Sequence, residues 1–140
     1  MDENPKYKEE KILDKDWVEH THQQFNEILV TNSLRIVPPW SIGSDFDGHT
    51  VIIEPGSGFG VGTHPTTQLC LRWMEQNIVS GDSFLDFGSG SGVLSIFAKK
   101  LNCIKVEGIE IDQKAIDNAK HNIKLNKVNI PFHRSEQNII

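Results

Sequence analysis

Cysteine is scarce in this chain: only Cys70 and Cys103 occur, far apart and in no CxxC arrangement. That spacing excludes a disulfide framework and suits two reduced thiols in a cytoplasmic protein. Positive charge is also short, with 14 Lys and Arg against 19 Asp and Glu, for a formal net charge of −5. A nucleic-acid backbone asks for a basic face, so direct nucleic-acid binding is not expected. A basic protein or a small cationic ligand suits the balance better. No apolar run approaches the roughly 18 residues of a membrane span, and the opening MDENPKYKEEK has no apolar stretch of the signal-peptide kind. The six histidines form no HExxH and no Cys/His grouping, so no metal site is expected. No GKS or GKT appears, which excludes a P-loop. Internal repeats and low-complexity tracts are absent as well.

What is there is an ordinary globular composition. The 140 residues are 37% apolar, with three Trp and seven Phe to fill a core, and amount to one domain's length. Residues 1–16 read as polar and frayed. DWVEHTHQQFNEILV, from Asp16 to Val30, places Trp17, Phe25, Ile28 and Leu29 at loosely helical spacing. SLRIVPPW reads as a short strand stopped by Pro38 and Pro39, SIGSDFDGHT as a turn-rich connector, and VIIEPG as a buried strand over Val51 to Ile53. Pro65 suits the first turn of a helix capped by Thr63 or His64. That helix carries Leu69, Cys70, Trp73, Met74 and Ile78 on one side and ends near Ser80 and Gly81.

Beyond it the pattern alternates. SFLDF is a strand, GSGSG a tight turn, and VLSIFAKKL a helix with Val93, Leu94, Phe97 and Leu101 turned inward. IKVEGIEI is the next strand, and Asp112 caps a helix bearing Ala115, Ile116, Ala119 and Ile123. VNIPFH completes the series as an edge strand, because Pro131 has no ladder donor. This alternation predicts an α/β fold with a parallel sheet and right-handed crossovers. Residues 1–50 form a lead-in, and 51–140 the ligand-binding segment.

DFGSGSG, Asp86 to Gly92, falls between a predicted strand and a predicted helix. Glycines there let backbone approach a ligand beside a helix N-terminus. Glu110 ends the next strand, 22 residues after Gly88. An acid at that distance can accept hydrogen bonds from both hydroxyls of a ribose. The dinucleotide fingerprint is GxGxxG, whereas Gly88, Gly90 and Gly92 are evenly spaced and preceded by Asp86. That spacing is closer to the turn of S-adenosylmethionine-dependent methyltransferases. A purely structural turn with a solvated Glu, or a nicotinamide-dependent oxidoreductase, is the competing reading.

The second loop is EPGSGFGVGTHPTT, with Gly56, Gly58, Gly60 and Gly62 at every second position. It resembles the loop of the ribosomal protein L11 methyltransferases, D-P-G-x-A-F-G-T-G-T-H-P-T-T, departing from it at Glu54, Gly58 and Val61. KDWVEHTHQQFNEILVTNSLRIVPPW upstream, and LDFGSGSGVLSIFAKKL and VEGIEIDQKAIDNAKHNIKLN downstream, are similar to that family too. The resemblance runs from about Asp16 to Asn126.

The resemblance implies a Rossmann-like class I methyltransferase sheet, of which this chain supplies the first three parallel strands with their helices, after a short α/β lead-in. It implies S-adenosyl-L-methionine as cofactor and a large-subunit ribosomal protein as substrate. Thr67 would contact the cofactor from the strap, a mobile loop that orders on binding. Asp86, Gly88, Gly90 and Gly92 would form the turn, and Glu110 would take the ribose position. The acceptor-side Asn-rich loop of the family has no counterpart, since Asn138 in SEQNII follows Glu110 too closely. No catalytic residue is assigned. An inactive cofactor-binding or interaction fragment is therefore the alternative, with self-association through an open sheet edge.

Overall fold

The computed structural model describes residues 27–43, 45–55 and 64–135. The frayed start, most of the helix expected from Asp16, strap residues 56–63 and Asn138 lie outside the described residues.

Strands β1 (Ile28–Thr31), β2 (Leu34–Val37) and β3 (His49–Ile52) form one sheet in that order. β1 runs antiparallel to β2, and β2 parallel to β3. Strands β4 (Ser83–Phe87), β5 (Lys105–Glu110) and β6 (Phe132–Arg134) form a second, wholly parallel sheet. Three helices accompany them: α1 (Pro65–Asn77), α2 (Val93–Lys100) and α3 (Gln113–Leu125). One buried cluster joins both sheets. It takes Val30, Leu34, Ile36 and Val51 from the first, Val106 from the second, and Leu71, Met74, Ile96 and Phe97 from α1 and α2.

Two expectations need correction. Ile28 and Leu29 do not continue a helix; they begin β1, with Ile28 opposite Ile36. Ile28, Val30 and Thr31 are β-branched and favour extended backbone. The strand alternates, Leu29 outward and Val30 buried, as a one-sided strand must. The turn after it is fastened from outside, because the Glu75 carboxylate on α1 accepts from the hydroxyls of Ser33 and Thr31.

The second correction concerns α1. Leu69 and Trp73 are 63% and 60% exposed, and the buried face is Leu71 and Met74, with Ile78 packed beside them. Leu71, Met74 and Ile78 follow the helical repeat as one stripe against the core, whereas the predicted side mixed that stripe with its outer neighbour. The helix also stops at Asn77, a turn before Ser80.

In the second sheet the predicted order holds. β6 lies at an edge, and Pro131 serves it as an acceptor, its carbonyl taking the Gly108 N–H at 3.0 Å. The opposite edge is β4, which pairs only with β5 among the described residues, leaving Leu85 and Phe87 exposed. Gly108 lets β5 and β6 close up: a Cβ there would lie 2.5 Å from Phe132 Cδ1 and 2.6 Å from Cε1. Gly108→Ala should therefore lower stability in urea unfolding by about 1–3 kcal/mol through overpacking. Phe132→Leu in the same chain should recover part of that loss; strictly additive effects would place the strain elsewhere.

Candidate functional site

The carboxyl ends of β4 and β5 meet at the glycine turn. Gly88 and Ser89 both donate their N–H groups to the Ile109 carbonyl, at 2.7 and 3.1 Å, which clips the turn onto β5. Gly88 has φ +72, and a Cβ on it would project into open space, so the room above the turn belongs to the solvent or a ligand. Gly92 has φ +88 and is glycine for a second reason, since a Cβ would crowd Ala119 at 3.2 Å and the Phe132 ring at 3.3 Å. Gly92 is also the N-cap of α2 and brings no side chain to it. The positive end of that helix therefore faces the turn.

Two carboxylates flank the turn in opposite ways. Asp86 is buried, and its Oδ2 accepts from Ser95 Oγ at 2.7 Å. Burial pushes its pKa up, the hydroxyl and backbone of Ser95 oppose that, and the Glu110 charge adds to the rise. Glu110 is half-buried at the end of β5. Its Oε1 accepts from Gly90 N at 2.8 Å, and its Oε2 from the N–H groups of Ile111 and Asp112, each at 3.1 Å. A carboxylate has about four acceptor sites, so one is left for a hydroxyl donor.

Asp86, Gly88, Gly90, Gly92 and Glu110 thus come together around one turn. Thr67 does not join them directly. It sits in the first turn of α1, and no hydrogen bond links it to the glycine turn among the described residues. His64 is the α1 cap, its Nδ1 accepting from Thr66 N at 3.2 Å, which settles the choice between Thr63 and His64. Asp112 caps α3 as expected.

Sequence reasoning missed three asparagines on α3. Asn126 Oδ1 accepts from Ile52 N at 2.8 Å, and its Nδ2 donates to Ile52 O at 2.7 Å. Asn122, fully buried, accepts from Glu54 N and donates to Ser91 O, both at 2.9 Å. Asn118 donates to Glu54 O at 3.2 Å, and His121 Nε2 lies 2.6 Å from Glu54 Oε1. The available signal was their spacing, four residues apart on one helical face. Ser89 Oγ, within the turn, is the one buried side-chain polar atom without a partner among the described residues.

These features fit a ligand with a hydroxyl at Glu110 and a polar or anionic group near the start of α2. The family model "Ribosomal protein L11 methyltransferase (PrmA)" matches residues 1–139. A ribosomal protein L11 methyltransferase of Burkholderia multivorans is 39% identical over 132 residues, covering 94% of this chain and 44% of its own length. Another, of Thiobacillus denitrificans, is 42% identical over 126 residues, covering 90% and 43%. The crystal structure of a ribosomal protein L11 methylase from Lactobacillus delbrueckii subsp. bulgaricus matches at TM-score 0.73 and 31% identity, over 79% of this chain and 58% of that one. A methyltransferase from Pyrococcus furiosus matches at TM-score 0.52 and 28% identity, over 63% and 44%. The chain spans less than half the length of the curated relatives it matches.

The environment of Asp86 generates a pH prediction. Its folded pKa lies above its ordinary value of 3.8, so the folded chain binds the proton more tightly than the unfolded one. The stability it contributes is full below 3.8 and is lost as pH rises through the raised value. Asparagine keeps an acceptor for Ser95 without a charge to desolvate. In urea titrations from about pH 4 to 7, Asp86→Asn should gain on the parent chain as pH rises. A difference that does not change with pH would show that desolvation is not what governs this residue.

Proposed function

The chain belongs to the ribosomal protein L11 methyltransferase family, and from that premise we propose that it carries the S-adenosyl-L-methionine-binding half of an enzyme that methylates amino groups of ribosomal protein L11. The observation that carries this reading is Glu110, whose carboxylate stands at the end of β5 and grips the Gly90 amide. Its remaining acceptor site suits a ribose hydroxyl. Gly88, Gly90 and Gly92 let backbone come close to the ligand, and the uncapped start of α2 favours a carboxylate. Asp86 acts from behind by holding α2 through Ser95. Thr67 approaches from α1, at the far end of the strap. When bound, the cofactor supplies an electrophilic methyl group on a sulfonium for in-line attack by a neutral amine. Residues 1–50 serve as lead-in and 51–140 as the cofactor-binding segment.

The setting we propose is cytoplasmic, in keeping with the free thiols of Cys70 and Cys103. No helix among the described residues is long and apolar enough to cross a membrane. A nicotinamide-dependent oxidoreductase is disfavoured by the glycine spacing. A second reading, a cofactor-binding fragment without activity of its own, draws support from β4, whose outer side has no strand partner among the described residues.

Calorimetric titration tests the cofactor. The chain should bind S-adenosylmethionine or its demethylated product and not NAD, and Glu110→Ala should weaken binding by roughly 1.5–3 kcal/mol, the worth of hydrogen bonds to a charged group. Binding of NAD alone would overturn the proposal.

The open β4 edge generates a further expectation. With Leu85 and Phe87 exposed and the outer edge of β4 unpaired among the described residues, the chain alone should self-associate and transfer methyl groups poorly. In sedimentation, Leu85→Lys with Phe87→Lys should shift it toward monomer. A compact monomer of the parent chain that methylates L11 unaided, in a radiolabel assay, would contradict this.

A further inference from the structure

We infer that Asn118, Asn122 and Asn126 are positioning residues of the cofactor site: a ladder of side-chain amides on α3 that fixes Ile52–Glu54, the root of the strap, against the glycine turn. The inference rests on the reading that the glycine turn and Glu110 hold the cofactor, and it assigns those asparagines a part in that site.

Backbone geometry explains why asparagine serves here. On β3, Ile53 donates to Val37 of β2, so the N–H groups of Ile52 and Glu54 point away from that strand. In a sheet a further strand would meet them. Here α3 does so instead, with Asn126 on Ile52 and Asn122 on Glu54. The two repeats match in length: four residues of helix rise about 6 Å, and two residues of strand about 6.6 Å. An amide placed every fourth residue of α3 can therefore meet every second residue of the strand. Asn126 bonds both the N–H and the carbonyl of Ile52, as a neighbouring peptide unit would. Asn118 takes the Glu54 carbonyl. A planar amide offers a donor and an acceptor on separate atoms, as a peptide unit does, whereas a carboxylate cannot donate and an apolar group does neither.

Asn122 does more than hold the strand. One rigid amide spans from Glu54 N to Ser91 O, that is, from the root of the strap to the glycine turn. Ser91 precedes Gly92, the N-cap of α2. The spacing between Glu54 and the glycine turn is thus set across a single buried side chain. Removing it would take a hydrogen-bond partner from backbone groups on both sides of a fully buried position.

The test uses the full chain, with S-adenosylmethionine as probe. Asn122→Asp keeps an acceptor for Glu54 N but loses the donor to Ser91; Asn122→Leu loses both. A control, Ile130→Val, trims a buried core residue away from the ladder. Amide hydrogen exchange should quicken at Glu54 about tenfold or more in Asn122→Leu, beyond any change in the control, and remain near the parent rate in Asn122→Asp. Cofactor affinity should fall about tenfold in both variants, since both untie the turn, while Ile130→Val binds normally. If Asn122→Leu does not fold, Asn118→Ala at a half-buried site should still weaken binding about threefold. Affinity and Glu54 exchange that shift no more than in the control would overturn the inference. Failure of the parent chain to bind the probe would instead sink the proposed function and the positioning role with it, whereas the exchange data would still decide whether the ladder exists in solution.

Discussion

One carboxylate organises the site. Glu110 accepts three backbone N–H groups, from Gly90 on the turn and from Ile111 and Asp112 at the start of α3. Charge-assisted hydrogen bonds of this kind are about twice as strong as neutral ones. They draw the end of β5, the crest of the glycine turn and the first turn of α3 to a common point. Left-handed backbone at Gly90 is what lets its N–H reach that carboxylate. The loop before α2 therefore takes its shape from a side chain on a different strand.

The neighbouring acid behaves differently because its surroundings differ. Asp86 points inward, into a buried contact with Ser95 near the start of α2, and burial works against its charge. Glu110 points toward the open side of the turn. Two carboxylates at the ends of adjacent strands thus divide the work: the inner one fixes the helix to the sheet, and the outer one presents acceptors. Each lies close to a helix N-terminus, where negative charge is favoured.

Much of this was legible in the sequence. An α/β fold with a parallel sheet followed from the alternating elements, its Rossmann-like class I methyltransferase type followed from the resemblance, and Asp86, the glycine turn and Glu110 converge around one turn. What escaped had identifiable causes. Ile28 and Leu29 fit a loose helical spacing, yet pairing with β2 decided their backbone. On α1, several apolar residues lie on both stripes, and only the packing shows that Leu71 faces in and Trp73 faces out. Gly108 looked like an ordinary strand residue until the Phe132 ring was seen lying against it. Asn118, Asn122 and Asn126 resembled the polar side of an amphipathic helix. Their partners on Ile52 and Glu54 are backbone atoms between 64 and 74 positions earlier in the chain, which no local pattern can reveal.

The amides of α3 have a consequence for solubility. A terminal strand such as β3 ordinarily leaves a row of donors and acceptors on which another molecule can build. At Ile52 and Glu54 those groups are already taken by side chains of the same molecule. A foreign strand would have to displace a buried asparagine to add there. Beside Ile52 and Glu54 the first sheet is therefore guarded by helix side chains, a device different from the bulge or charged lysine that proteins commonly use for the purpose.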